Sequence, residues 1–153
     1  MRPTIDRFTI TREYSHPVEK VFRAWAEIDR KLNWFRGPDG WIRTEHTLDF
    51  RVGGAEVMRG EFPGKGSSSY SAHYYQIVPN QQLCFSTDVV WDGEIYSASL
   101  VVVEFFATEA GTRIEFTESI AFLEPEHTHA NVTDRARGTS MHFDWLVEYL
   151  DRP

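Results

Sequence analysis

Glu118 and His46 are the side chains best placed to do chemistry in this chain. Glu118 lies within residues 112–122, where Ile114, Phe116, Glu118 and Ile120 share one parity. Alternate residues of a strand point the same way, so this carboxylate falls on an apolar face. Lost hydration raises a carboxyl pKa unless a donor compensates. Such a group can act as a general acid or base, or hold the polar end of a ligand. The plainer reading is a carboxylate at a cavity mouth that reaches water, or one paired with an arginine. His46 likewise interrupts an apolar parity, and imidazole titrates near neutrality. With Glu118 it makes an acid–base pair if the strands bring the two within reach. Its plainer reading is a hydrogen-bonded core histidine.

Other candidates are weaker. Tyr70 and Tyr74 share one face of a strand, with His73 and Tyr75 opposite. Tyrosine combines apolar area with a hydroxyl, which suits a ligand pocket and an ordinary sheet equally. His127-Thr128-His129, with His142, Glu124 and Glu126, hints at a metal. Residues i and i+2 do not share a helix face, however, and no Cys pair or HExxH helix supports zinc. A solvated helix entry is the expected role. Cys84, the one cysteine, cannot form an internal disulfide and reads as a buried structural thiol. Ser67-Ser68-Ser69 reads as a flexible loop without the GxSxG of a nucleophile elbow. Gly64-Lys65-Gly66-Ser67 lacks the spacing and following helix of a phosphate-binding loop. No cofactor and no metal are expected.

These residues need elements to position them. In residues 41–52 the even positions are Ile42, Thr44, His46, Leu48, Phe50 and Val52, while the odd ones are mostly charged. This predicts a long strand with one covered face, stopped by Gly53-Gly54. Residues 6–15, 55–62, 70–78, 83–90, 95–106 and 112–122 read as further strands, separated by Gly, Pro or Asn turns. Long half-buried strands joined by tight turns imply an antiparallel sheet with one face covered. Val18, Phe22 and Trp25 recur at helical spacing behind Pro17, and a second brief helix is expected over residues 28–34. The last segment changes period. Val132, Ala136, Thr139, Phe143, Leu146, Val147 and Leu150 form one helical stripe, with Asp134, Arg135, Arg137, Asp144, Glu148 and Asp151 mostly off it. This helix is expected to start between Glu126 and Val132. Gly138 inside it costs ~1 kcal/mol relative to Ala, and is expected either to permit close packing or to make room.

A length of 153 residues predicts one domain over residues 1–153. The hydrophobic fraction is 41% and the aromatic fraction 14%, enough bulk for a proper core. A net charge of −7 with scattered Arg and Lys argues against nucleic acid, whose phosphates demand a cationic surface. No apolar run can span a bilayer, and residues 1–6 lack the pattern of a secretion signal, so no membrane insertion and a cytoplasmic location are expected.

Several strings follow one another in a specific order: SHPVEKVFRAWAEID, NWFRGPDGW, LDFRVGG, YYQIVPNQQLCFS, GTRIEFTESI and WLVEYL. Together they resemble the START-like superfamily, also called SRPBCC, and within it the branch named after the activator of heat-shock protein 90 ATPase. The resemblance implies an α+β helix-grip fold. A curved seven-stranded antiparallel sheet wraps a long C-terminal helix, two short helices lie between strands 1 and 2, and a hydrophobic cavity often remains. Members of this branch commonly carry Trp after the Gly of the last helix, whereas Thr139 follows Gly138 here. That departure leaves a roomier cavity, or lets another aromatic such as Trp145 fill the gap.

Strand parity and the resemblance nominate Thr44, His46, Leu48, Phe50, Met58, Phe62, Tyr70, Tyr74, Phe116, Glu118, Thr139 and Phe143 as ligand-binding residues. Such a fold hosts many roles. The leading expectation is a binder of a small hydrophobic or aromatic ligand. The first rival is an enzyme, a cyclase, dehydratase or hydrolase, working through His46 and Glu118. The second is a co-chaperone-like interaction domain with an exposed patch at Trp34-Phe35 or Trp91. A homodimer is left open.

Overall fold

The computed structural model describes residues 3–123 and 131–153. In chain order the elements are β1 (Thr4–Tyr14), α1 (Val18–Ala26), α2 (Ile28–Lys31), β2 (Ile42–Leu48), β3 (Ala55–Phe62), β4 (Gly66–Val78), β5 (Gln82–Trp91), β6 (Glu94–Ala107), β7 (Thr112–Phe122) and α3 (Val132–Leu150). The strands make one antiparallel sheet in the order β1-β7-β6-β5-β4-β3-β2. Strands β2 to β7 follow one another as hairpins. β1 lies at the far edge beside β7, with Thr4 opposite Phe122 and Tyr14 opposite Thr112. The α1–α2 segment therefore carries the chain from one edge of the sheet to the other.

Helix α3 crosses the concave face and buries Phe143, Leu146 and Leu150 against it. Its first turn is capped by Asn131, whose Oδ1 accepts the Asp134 amide at 2.9 Å. Lys20 closes its other end by donating to the Leu150 carbonyl at 2.7 Å, and His16 Nε2 meets Asp151 Oδ1 at 2.6 Å. A cation is favoured there, where helix carbonyls lack partners. Arg12 of β1 holds the middle through Asp144 Oδ1 at 2.7 Å. Trp25 occupies the centre of the core, its ring 4.9 Å from Trp34 and about 6 Å from Phe105 and Phe143.

Two expectations about strands need correction. β2 ends at Leu48, and the next residues fold into a turn closed by the Gly54 amide on the Arg51 carbonyl at 2.8 Å. Within β2 the register slips, with Arg43 opposite Gly60 and Glu45 opposite Arg59. Thr44 is the extra residue of this bulge, and a bulge inverts the alternation on one side. Arg43 consequently donates to the carbonyls of Leu32 and Phe35, both at 3.0 Å, while Ile42 and Thr44 are exposed. β4 begins at Gly66, earlier than expected. Ser67, Ser68 and Ser69 are strand residues opposite Glu61, Gly60 and Arg59, not a flexible loop. Gly60 is required here because the Trp41 indole fills the space of a side chain, 2.0 Å from where a Cβ would sit.

Gly138 is different. A Cβ there meets nothing within 4 Å, so close packing does not explain it. Gly138→Ala is expected to stabilise the protein by ~1 kcal/mol, read as a raised urea midpoint with unchanged m-value. An unchanged or lowered midpoint would contradict this.

Candidate functional site

A cavity of about 170 Å³ lies between the sheet, α3 and the α1–α2 segment. Trp25, Trp34 and Phe35 form one wall. Met58, Tyr70, Phe85, Val89, Val101 and Phe116 of the sheet form another, with Phe143 of α3 closing over them. Its polar groups gather in distinct networks.

The first is built on Lys31, the last residue of α2, whose side chain is only 2% exposed. Its ammonium lies 5.0 Å from the Phe35 ring centre and 5.6 Å from that of Trp25. It donates to Glu56 Oε1 at 2.6 Å, while His46 Nε2 donates to Glu56 Oε2 at 2.8 Å and Tyr74 reaches Oε1 at 3.3 Å. Burial alone would push the Glu56 carboxyl up. The charge of Lys31 and the hydrogen bonds from His46 and Lys31 outweigh it and hold the group below its ordinary value. Burial and the Glu56 charge push the Tyr74 phenol far up, so it stays protonated.

The second network joins the sheet to α3. Glu118 Oε2 accepts from Ser99 Oγ at 2.6 Å and Arg135 Nη1 at 2.7 Å, and Arg135 Nη2 donates to Ser97 Oγ at 2.6 Å. The carboxylate on an apolar face is thus an arginine-paired one. Arg135, placed off the apolar stripe by its charge, faces the cavity from α3.

His142 also lines the cavity. Its ring lies between those of Phe35 at 4.9 Å and Trp145 at 5.6 Å, tilted 59° to each, and its Nε2 donates to the Arg36 carbonyl at 2.9 Å. Burial pushes its pKa down to about 4, and the nearby charges of Lys31, Arg36 and Arg135 add to that against a bond from the Arg36 backbone. The ring is therefore neutral near pH 7, with its proton on Nε2. Trp145 is taken up by Arg36, 3.9 Å from its ring centre, so it does not fill the space beside Thr139.

Of the nominated residues, Met58, Tyr70, Phe116, Glu118, Thr139 and Phe143 border the cavity. His46 and Tyr74 stand behind it on Glu56. Leu48 and Phe50 pack into the core, Phe50 edge-on to Phe22 and Tyr74. Phe62 lies against Trp91 instead, and Thr44 points outward because of the bulge. His46 and Glu118 belong to separate networks and do not form the acid–base pair. Trp34 is 1% exposed and Phe35 lines the cavity, so no surface patch forms there. Cys84 is half-buried rather than buried. His127, His129, Glu124 and Glu126 lie outside the described residues. Among the described residues no cluster of His, Cys, Asp and Glu is arranged to hold a metal, and no helix is long and apolar enough to cross a membrane.

Lys31, Glu56 and Arg135 are not among the nominated residues, and His142 was weighed only as a metal ligand. Glu56 shares the parity of Met58, which is the signal that points inward. Lys31 falls three residues after Ile28 and three before Trp34, a charge inside an apolar helical stripe.

A curved antiparallel sheet gripping a C-terminal helix, with a cavity between, is the helix-grip fold of the START-like (SRPBCC) ligand-binding domains. The chain is similar over 99% of its length to an uncharacterised protein from Rhizobium leguminosarum, with 32% identity, a TM-score of 0.92 and 98% of that chain covered. It is also similar to the Mll3558 protein from Rhizobium loti, with 32% identity and a TM-score of 0.87, covering 97% of this chain and 99% of that one. An AHSA1-like protein from Aeromonas hydrophila shares the fold at 20% identity and a TM-score of 0.71, over 95% and 92% of the two chains. No curated protein matches it. The family profile described as activator of Hsp90 ATPase homolog 1-like protein matches residues 15–151, and the chain belongs to that family.

Proposed function

We propose that the protein binds a small apolar or aromatic molecule in the cavity between the sheet and α3. Burial of apolar surface supplies the affinity, and the few polar groups fix the orientation. The observation that carries this reading is the 170 Å³ space itself, walled by aromatic side chains. An apolar engineered cavity of roughly 150 Å³ takes up benzene, so one ring is the matching scale.

Thr139→Trp tests this. Thr139 borders the cavity and is 9% exposed, and an indole there fills most of the space. Toluene titrated into the wild type is expected to bind, with affinity at least tenfold weaker or lost in the variant while the circular dichroism spectrum is retained. Equal binding by the two proteins would place the guest elsewhere. Native mass spectrometry of freshly purified protein would identify any retained molecule and report the mass of the assembly.

A further inference from the structure

We infer that the guest of this cavity is a single-ring aromatic that donates a hydrogen bond, a phenol or an N–H heteroaromatic, received by Oε1 of Glu118. This rests on the cavity reading above and narrows it to a chemical class.

Glu118 is 4% exposed, and both of its donors converge on one oxygen. Ser99 and Arg135 each bond Oε2, at 2.6 and 2.7 Å, and no described residue bonds Oε1. An ionised carboxylate has about four acceptor positions, and a buried one left half-used is an exception that calls for a partner. Oε1 is not fully enclosed by protein, and Glu118 borders the cavity. Its orientation is fixed in advance, because Arg135 is itself held by Ser97 at 2.6 Å. A second unpartnered group borders the same space. The Tyr70 hydroxyl makes no hydrogen bond to any described residue, and burial keeps it protonated. A guest hydroxyl that donates to Glu118 can accept from Tyr70. Phe85, Phe116 and Phe143 supply ring faces and edges for an aromatic body. The opposite class, an anionic guest, would have to compete for Lys31 with Glu56 or for Arg135 with Glu118.

Sites built to hydrogen-bond a hydroxyl discriminate strongly against analogues that lack it, because their own polar groups are left unpaired. Isothermal titration of the full chain with phenol, anisole, toluene and benzoate provides the test. Phenol is expected to bind the wild type at least about tenfold more tightly than anisole or toluene. In Glu118→Gln the amide NH2 faces the cavity, and this preference is expected to fall below about threefold. Should that variant not fold, Tyr70→Phe takes its place, with phenol weakened and toluene unchanged. Equal binding of phenol, anisole and toluene would overturn the donor assignment but leave the cavity reading intact. Benzoate binding tightest would overturn it in favour of the cations. No binding of any of the four at millimolar concentration would remove both readings.

Discussion

Glu56→Leu is expected to lower the free energy of unfolding at pH 7 by about 3–5 kcal/mol, measured by urea denaturation. Glu56 is fully buried and serves three donors, from Lys31, His46 and Tyr74. Removing it strands the Lys31 ammonium in a site where its side chain is 2% exposed, and an uncompensated buried charge dominates the cost. Lys31→Met should therefore rescue part of the loss, since the double variant buries no lone cation. A single-variant loss below about 1 kcal/mol, or a double variant that is simply additive, would show that the pair is not what holds this corner together. The same group has an acid limb. Its folded pKa lies below the ordinary 4.5, so its stabilisation is complete above pH 4.5 and is lost as pH falls through the lower folded value.

Acidification should also act earlier, through His142. Its folded pKa of about 4 lies below the ordinary 6.5, so the unfolded chain takes up the proton first. Stability from this group is complete above pH 6.5 and falls as pH drops toward 4. At about 1.4 kcal/mol per unit, the loss over that window is about 3 kcal/mol. His142→Gln keeps a donor for the Arg36 carbonyl but cannot titrate. Denaturation at pH 7 and pH 4 should show the wild type losing about 3 kcal/mol more than the variant. Parallel pH profiles would mean that the ring is not held neutral.

Period and punctuation in the chain mark the strands and helices, while the curved sheet gripping the last helix was what the resemblance implied. The parity of residues 112–122 predicts β7 residue for residue, and the last apolar stripe predicts the contact face of α3. The site was harder to read because its chemistry sits where pattern rules send charge outward. Arg135 lies among the polar residues of an amphipathic helix, yet Glu118 and Ser97 draw it toward the sheet. Lys31 shares a brief helical stripe with Ile28 and Trp34, but its burial depends on a carboxylate 25 positions later that this spacing does not reveal. Thr44 was misplaced for a local reason: one extra residue in β2 flips a face, and alternation carries no mark of it. His46 points inward, but Glu56 claims it before it can reach the cavity.

The pairing of Lys31 with Glu56, and of Arg135 with Glu118, has an electrostatic corollary for the occupant. Each cation bordering the cavity already has its counterion in the wall, so the lining presents dipoles but no surplus charge. An ionised occupant would sit in a low-dielectric space without a neutralising mate, whereas its uncharged form would not. For an acidic phenol, affinity should then track the fraction that remains un-ionised, and decline as the solution is made alkaline beyond the guest's own dissociation point.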